Sequence, residues 1–447
     1  MKTNSLENKY FGTEKIWKIL LRLAPPVMFA QLIQSMYNIV DSYFVGAYSS
    51  AGLTALSIIY PLQLLIMAFG IGTGIGLNTL MARFYGQGSD KKANEAAGTG
   101  TILALISWAV FAFIFYIIMK PFVEVSAESR ETARQAVIYG RIVCVGSLGL
   151  FMESTWTKIH QARGNMKRPM IAQVSGAITN IVLDPVFIFG FAFIPPMGIA
   201  GAAIATVLGQ MVAAAITFSG ALHRPPVIKK MLIYIKRIYQ VGLPSIVMQA
   251  MYTVYIIGLN LILVSFSDAA VTVLGLYYKL QAFFFIPLFG LQTCIVPILS
   301  YNYAIDRTDR CKGIIWQSNI ISAVFMILGI ASFEIIPAQL LGIFTTDTNV
   351  ITSGIIALRI IAVSFIPAVL SLMFPVFFQA IGKAVPSIAL TLLRQLVLLV
   401  PLAFILSFLG LNYVWLTFPI TEITTGALAI YLYIRQCRQW DKEKASV

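Results

Sequence analysis

Apolar residues run through this chain in long blocks, each closed by a short polar or charged stretch, and the blocks recur twelve times. A helix needs about 20 apolar residues to cross about 30 Å of hydrocarbon, so each block predicts one transmembrane helix. They fall near 16–45, 52–82, 93–119, 132–158, 168–190, 197–221, 234–265, 270–299, 312–335, 350–378, 384–408 and 412–436. The first and seventh are long enough to project beyond the bilayer. The pattern is also written twice. Pro26, Gln31, Tyr37, Tyr60, Gln63, Gly72, Arg141, Gln161, Ala162 and Gly164 recur 218 positions later as Pro244, Gln249, Tyr255, Tyr278, Gln281, Gly290, Arg359, Gln379, Ala380 and Gly382. An even number of spans per copy brings both copies in from the same side. The predicted fold is an all-α integral membrane protein: twelve helices in two six-helix bundles, 1–221 and 234–447, related by a pseudo-two-fold axis along the membrane normal. Residues 222–233 link them, and Pro225 and Pro226 stiffen the link, which predicts rigid rocking of the halves.

Composition agrees with a bilayer protein. Hydrophobic residues make up 58% of the chain and charged residues 11%, at a mean hydropathy of +0.83. Of the 32 Lys and Arg, 25 fall in the N-terminal segment, the C-terminal tail and the loops on their side, with Lys120, Arg130 and Arg134 opposite and four more inside spans. Cytoplasmic segments hold the cations, so both termini are expected in the cytoplasm and the chain in the cell (inner) membrane. The net charge of +14 sits in short membrane-flanking clusters, which argues against a nucleic-acid partner and for contact with lipid. Cys144, Cys294, Cys311 and Cys437 lie too far apart for a CxxC site or a disulfide framework.

Carboxylates inside the spans break the duplication. Asp41 and Asp184 correspond to Leu259 and Leu402 in the second copy. An acid at mid-helix costs about 2.5–3.5 kcal/mol on insertion scales unless it is paired, protonated or hydrated, so each needs a reason. Tyr37 and Asn38 sit four and three residues before Asp41, and Asn180 four before Asp184, on the same helix faces. If the first and fifth helices meet, the two acids share one pocket and titrate as a unit. Their oxygens, with Asn180 and Thr206, also suit Na⁺, and a polar cluster that only ties helices together uses the same residues. Glu153 is expected to pair with cations near the inner surface, and Lys279 is a candidate buried counter-ion for Glu422. Gly70, Gly72, Gly74 and Gly76 predict close helix packing. Pro25 and Pro26 either open the first helix or let it bend.

No HExxH, GxSxG or GxxxxGK[ST] motif occurs, so the sequence does not read as an enzyme, and no cofactor is expected beyond H⁺ or Na⁺ as a coupling ion. Gln34, Asn38 and Met67 in the first half, with Tyr255, Tyr278 and Gln281 in the second, are the candidate lining of a substrate cavity, where rings offer π faces to a cation.

Tyr37-Asn38-Ile39-Val40-Asp41-Ser42-Tyr43-Phe44-Val45-Gly46, the loop Gly86-Gln87-Gly88-Ser89-Asp90, and the paired Gln161-Ala162-Arg163-Gly164 and Gln379-Ala380-Ile381-Gly382 resemble the multidrug and toxic compound extrusion (MATE) family. The resemblance implies a monomeric antiporter with two bundles that alternate between outward-open and inward-open forms and export organic cations in exchange for H⁺ or Na⁺. It is similar to the DinF-type branch, which implies coupling roles for Asp41, Asp184, Asn180, Thr206, Tyr139 and Tyr37. Branches with acids in the seventh, eighth or tenth helices find no match. A lipid-linked precursor flippase of the same superfamily is the alternative, kept open by Lys279, Arg359 and Arg394.

Overall fold

The computed structural model describes residues 10–127, 129–191 and 194–445; the side chains of residues 38, 39 and 50 fall outside that description. Helices account for the spans in the expected order. We label them α1 (Ile16–Tyr48), α2 (Ser50–Gly86), α3 (Asp90–Ser126), α4 (Arg130–Val145 and Leu148–Ala162), α5 (Lys167–Phe189), α6 (Ile199–Phe218), α7 (Ile228–Val264), α8 (Asp268–Phe284 and Ile286–Ala304), α9 (Thr308–Ile335), α10 (Thr348–Ala362 and Phe365–Ala380), α11 (Ala384–Ser407) and α12 (Thr417–Ala445). Eight are continuous and apolar enough to span, and α4, α8 and α10 are bent pairs, at 40°, 53° and 56°. The twelfth, α12, is more polar in its membrane part, which holds Thr417, Thr421, Glu422, Thr424 and Thr425, and it ends in a charged tail from Arg435 to Lys444.

Sequence accounts for the breaks. In α4 the chain breaks at Gly146, where a Cβ would lie 2.5 Å from Val207, and the freed Val145 carbonyl accepts from Trp108 Nε1 at 2.8 Å. The α10 break falls at Ser364, 218 residues on, and its hydroxyl donates to Ile361 O at 2.6 Å. The duplication is less strict at α8. Pro287, near the start of its second segment, removes a backbone donor, whereas α2 runs straight through the matching position. The repeated Gln-Ala-x-Gly motif closes α4 and α10 with the same cap. Gly164 (φ +83°) and Gly382 (φ +79°) take the left-handed conformation, their N–H groups bond Gln161 O and Gln379 O, and the next N–H groups reach His160 O and Phe378 O.

Contacts divide the described residues into two compact units, one made of Tyr10 with Pro25–Gln249 and the other of Phe11–Ala24 with the chain from Ala250 onward. The division runs through α1 at Pro25 and through α7 near Pro244, and not through the 222–233 link. Glycine explains the membership of the first half of α7. A Cβ on Gly76 would lie 2.2 Å from Ile238 O, and one on Gly72 would lie 2.8 Å from the Ile246 backbone nitrogen. Gly70 and Gly74, on the other face of α2, meet Leu150 and Lys158 of α4. The glycine stripe thus packs two neighbours at once. In the second unit, Phe11 O accepts from Asn302 Nδ2 and Arg310 Nε, both at 3.0 Å, which holds the N-terminal segment there. Pro25 and Pro26 lie ten residues inside α1, so they do not open it.

The link itself is held on the first unit. Buried Arg163 donates to Gly220 O at 2.5 Å and to the Tyr85 hydroxyl at 3.0 Å, and its Nη2 lies 2.6 Å from His223 Nε2. Gly98 passes so close to the Arg224–Pro225 backbone that a Cβ there would sit at 2.7 Å. All four cysteines are free thiols.

Candidate functional site

In the first unit α5 and α6 approach more closely than side chains usually permit. Cβ atoms on Gly176 and Gly209 would each lie 2.7 Å from the other's carbonyl oxygen. One turn along α5 from Gly176, this contact brings Asn180 against Thr206. Asn180 Nδ2 lies 3.4 Å from Thr206 Oγ1 and donates to Asp184 Oδ1 at 3.2 Å. Asp184 is fully buried and Asn180 is 2% exposed. From α1, Asp41 reaches the same place, and its carboxyl is within hydrogen-bonding reach of that of Asp184. Tyr139 of α4 is buried, with Gln63 and Thr206 as its side-chain partners, and Tyr37 has Gln34. The structure therefore collects Asp41, Asp184, Asn180, Thr206 and Tyr139 from four helices of one unit, with Tyr37 in electrostatic reach of both acids.

Electrostatics make this cluster incomplete. Asp41 Oδ1, Asp184 Oδ2 and Asn180 Oδ1 are buried oxygens to which no described group donates. Two carboxylates in contact have no proton between them unless one is added, and a buried acceptor without a donor costs about 1–3 kcal/mol, more when charged. Three such oxygens fit what is missing: one proton shared by the acids, or one hard monovalent cation taking oxygen ligands. Among the described residues no cluster of three or more His, Cys, Asp or Glu occurs, so the donor set is not one for zinc or a similar metal.

The other polar residues sort differently. Glu153 accepts from the Thr157 hydroxyl at 2.6 Å and from Gln173 Nε2 at 3.4 Å, because those side chains share its turn and the facing helix, and Lys158, one of the expected cations, lies in electrostatic reach. Lys279 is not the counter-ion of Glu422. It is exposed and lies over the Phe344 ring at 5.7 Å, while Glu422 Oε1 accepts from Arg394 Nη2 at 2.6 Å and Nε at 2.9 Å. Sequence reading left the role of Arg394 open; its π-helical setting, Leu393–Leu399, carries no simple sequence signature. Arg141 and Arg359 keep matched surroundings. Arg141 lies 5.0 Å from the Tyr116 ring, and Arg359 lies 3.8 Å from Glu334, the repeat mate of Tyr116.

The candidate cavity residues divide between the units. Gln34 and Met67 are half-buried in the first, and the Asn38 side chain lies outside the described residues. In the second, Tyr278 and Gln281 are half-buried, whereas Tyr255 is 3% exposed and packs edge-on against Tyr252 and Tyr278 at 5.4 and 6.2 Å.

A duplicated polytopic helical body, with two facing carboxyls in the first copy and a carboxyl already paired to an arginine in the second, is a form built for moving solutes across a membrane. The MatE family model matches residues 26–186 and again 244–405, and the chain belongs to that family, which makes it a transporter and not an enzyme. Multidrug export protein MepA of Staphylococcus haemolyticus is 24% identical over 98% of both chains. A protein of Shewanella oneidensis named as an FAD transporter is 23% identical over 94% of this chain and 95% of its own. Among solved structures, a MOP superfamily transporter from Pyrococcus furiosus, described as having a binding pocket of reverse polarity that suggests a different function, matches with a TM-score of 0.90. It has 22% identity, and the match covers 99% of each chain.

Proposed function

We propose that this chain is a multidrug antiporter that exports organic cations in exchange for H⁺ or Na⁺, with Asp41 and Asp184 as the ion-binding pair. The observation that carries this reading is the approach of the half-buried Asp41 carboxyl to the buried Asp184 carboxyl, which leaves three buried oxygens without donors. Arrival of a cation relieves that deficit and departure restores it, so the unit has two states of different polarity. A drug that favours one of them is coupled to the ion by that difference. Names of relatives such as MepA support a drug as substrate. The site pattern supports the DinF-type branch. The distribution of cations supports residence in the inner membrane with cytoplasmic termini, and nothing in the reading requires more than a monomer.

A lipid-linked precursor flippase ranks second. Of the three cations that favour it, Arg394 is engaged by Glu422 and Arg359 lies beside Glu334, which weakens it. Ethidium efflux from cells separates wild type from Asp41→Asn. The reading expects efflux to collapse in the variant at equal expression, and undiminished efflux removes Asp41 from the mechanism.

A further inference from the structure

The second unit holds a buried charge cluster that the coupling reading does not use. Arg394 of α11 is 7% exposed and Glu422 of α12 is 2% exposed. Both guanidinium contacts fall on Glu422 Oε1, and the Ser371 hydroxyl of α10 donates to Oε2. Tyr255 of α7 and Tyr277 of α8 are the other titratable side chains in electrostatic reach. In repeat terms the pair bridges the fifth and sixth helices of its copy, the same two helices that carry Asp184, Asn180 and Thr206 in the first. The registers differ. Arg394 takes the place of Gly176, whose missing side chain lets α5 and α6 touch, and Glu422 takes the place of Ile204. At Arg394 the helix is π-wound from Leu393 to Leu399, a rare winding that is frequent at functional sites.

A buried ion pair is a poor way to hold two helices together, because well-packed apolar residues serve as well or better once desolvation is counted. Its evident effect here is to keep a carboxylate neutralised. We propose that Arg394 is a tethered cation that occupies the carboxylate centre of the second unit permanently, so that only the first unit answers to the mobile ion. The inference rests on the coupling reading above. It predicts that Glu422 becomes a site for H⁺ or Na⁺ once the guanidinium is removed. With Arg394 in place, one copy of a symmetric body is fixed in its cation-filled form, which restricts the exchange to ions bound at a single centre.

The test follows thermal unfolding of the full-length purified transporter while pH and Na⁺ are varied separately. Wild type should show a rise in Tm of roughly 3 °C or more on binding its ion. Asp41→Asn should lose it. Asp41→Asn combined with Arg394→Met should regain a cation-dependent rise, which Glu422→Gln should abolish, while Asp41→Asn with Arg394→Lys should remain unresponsive. If the Met variant is too unstable to purify, Arg394→Gln supplies a neutral donor at the same place, and the same regain is expected. Absence of a regained rise in folded protein overturns the tethered-cation proposal. A response that survives in Asp41→Asn with Arg394 intact and disappears with Glu422→Gln also overturns it, because the second centre would then be open. A response that survives both changes overturns the coupling reading instead.

Discussion

Replacing Gly76 with alanine isolates the contact that seats the first half of α7 on the first unit. The added Cβ would lie 2.2 Å from Ile238 O and 2.9 Å from Gly242 Cα, and both neighbours are backbone, so no rotamer change relieves the clash. The helices must part by about 1 Å, and overpacking of this kind typically costs about 1–3 kcal/mol. Against that stands the gain of up to about 1 kcal/mol from alanine over glycine within a helix. Gly275→Ala in α8 is the control, because a Cβ there meets nothing within 4 Å and only the gain remains. The two variants should therefore differ by about 1–3 kcal/mol in stability, with Gly76→Ala below wild type or level with it and Gly275→Ala at or above it. A thiol-reactive dye in detergent follows unfolding directly, since Cys144, Cys294 and Cys311 are buried. Equal Tm values for the two variants would refute the argument from backbone proximity.

Asp184→Asn removes one of the two acids while keeping the shape of the side chain. The weakening of drug binding by the coupling ion, typically worth about 1–3 kcal/mol, should vanish in titrations of drug against ion, and an unchanged ion effect would exclude Asp184. His223 should make the cytoplasmic link sensitive to acid. Its Nδ1 faces Ala221 O at 2.8 Å and its Nε2 faces Arg163, so the neutral ring donates to the carbonyl and accepts from the guanidinium. Burial first, and then Arg163, hold its pKa below the ordinary value of 6.5. A base with a depressed folded value contributes stability that is complete above the unfolded value and declines as pH falls through and below about 6.5. Hydrogen-exchange protection factors at residues 221–224 and 227, with the intrinsic pH dependence of amide exchange divided out, should fall between neutral and mildly acidic pH in wild type but not in Arg163→Met, where protection should already be low; pH-independent protection in wild type would contradict this.

Much of the fold was legible because it follows from length and period. Twelve apolar blocks, the 218-residue offset and the Gln-Ala-x-Gly ends of α4 and α10 needed only the chain. The meeting of Asp41 with Asp184 was posed as a condition on helix packing, and Asn180 and Thr206 were recognisable as polar residues one turn from an acid or facing it. Other features depend on which helices touch. Nothing along the sequence brings Arg394 to Glu422 across 28 positions, and among the cations within spans no sequence signal favoured it over Lys279 as the partner. Glu153 was legible in part: Lys158 is in electrostatic reach as its place in sequence suggested, but the hydroxyl one turn on and the amide on the next helix that hydrogen-bond it depend on packing. The unit boundary inside α1 and α7 was hidden because a continuous helix gives no compositional sign of changing neighbours.

Drug uptake into proteoliposomes under separately imposed pH and Na⁺ gradients tests the central claim most directly. At least one gradient should drive uptake against the drug's own gradient in wild type, and neither should do so in Asp41→Asn or Asp184→Asn. Uptake that ignores both gradients in wild type, or that persists undiminished in the two variants, would contradict an ion site built from these two carboxyls.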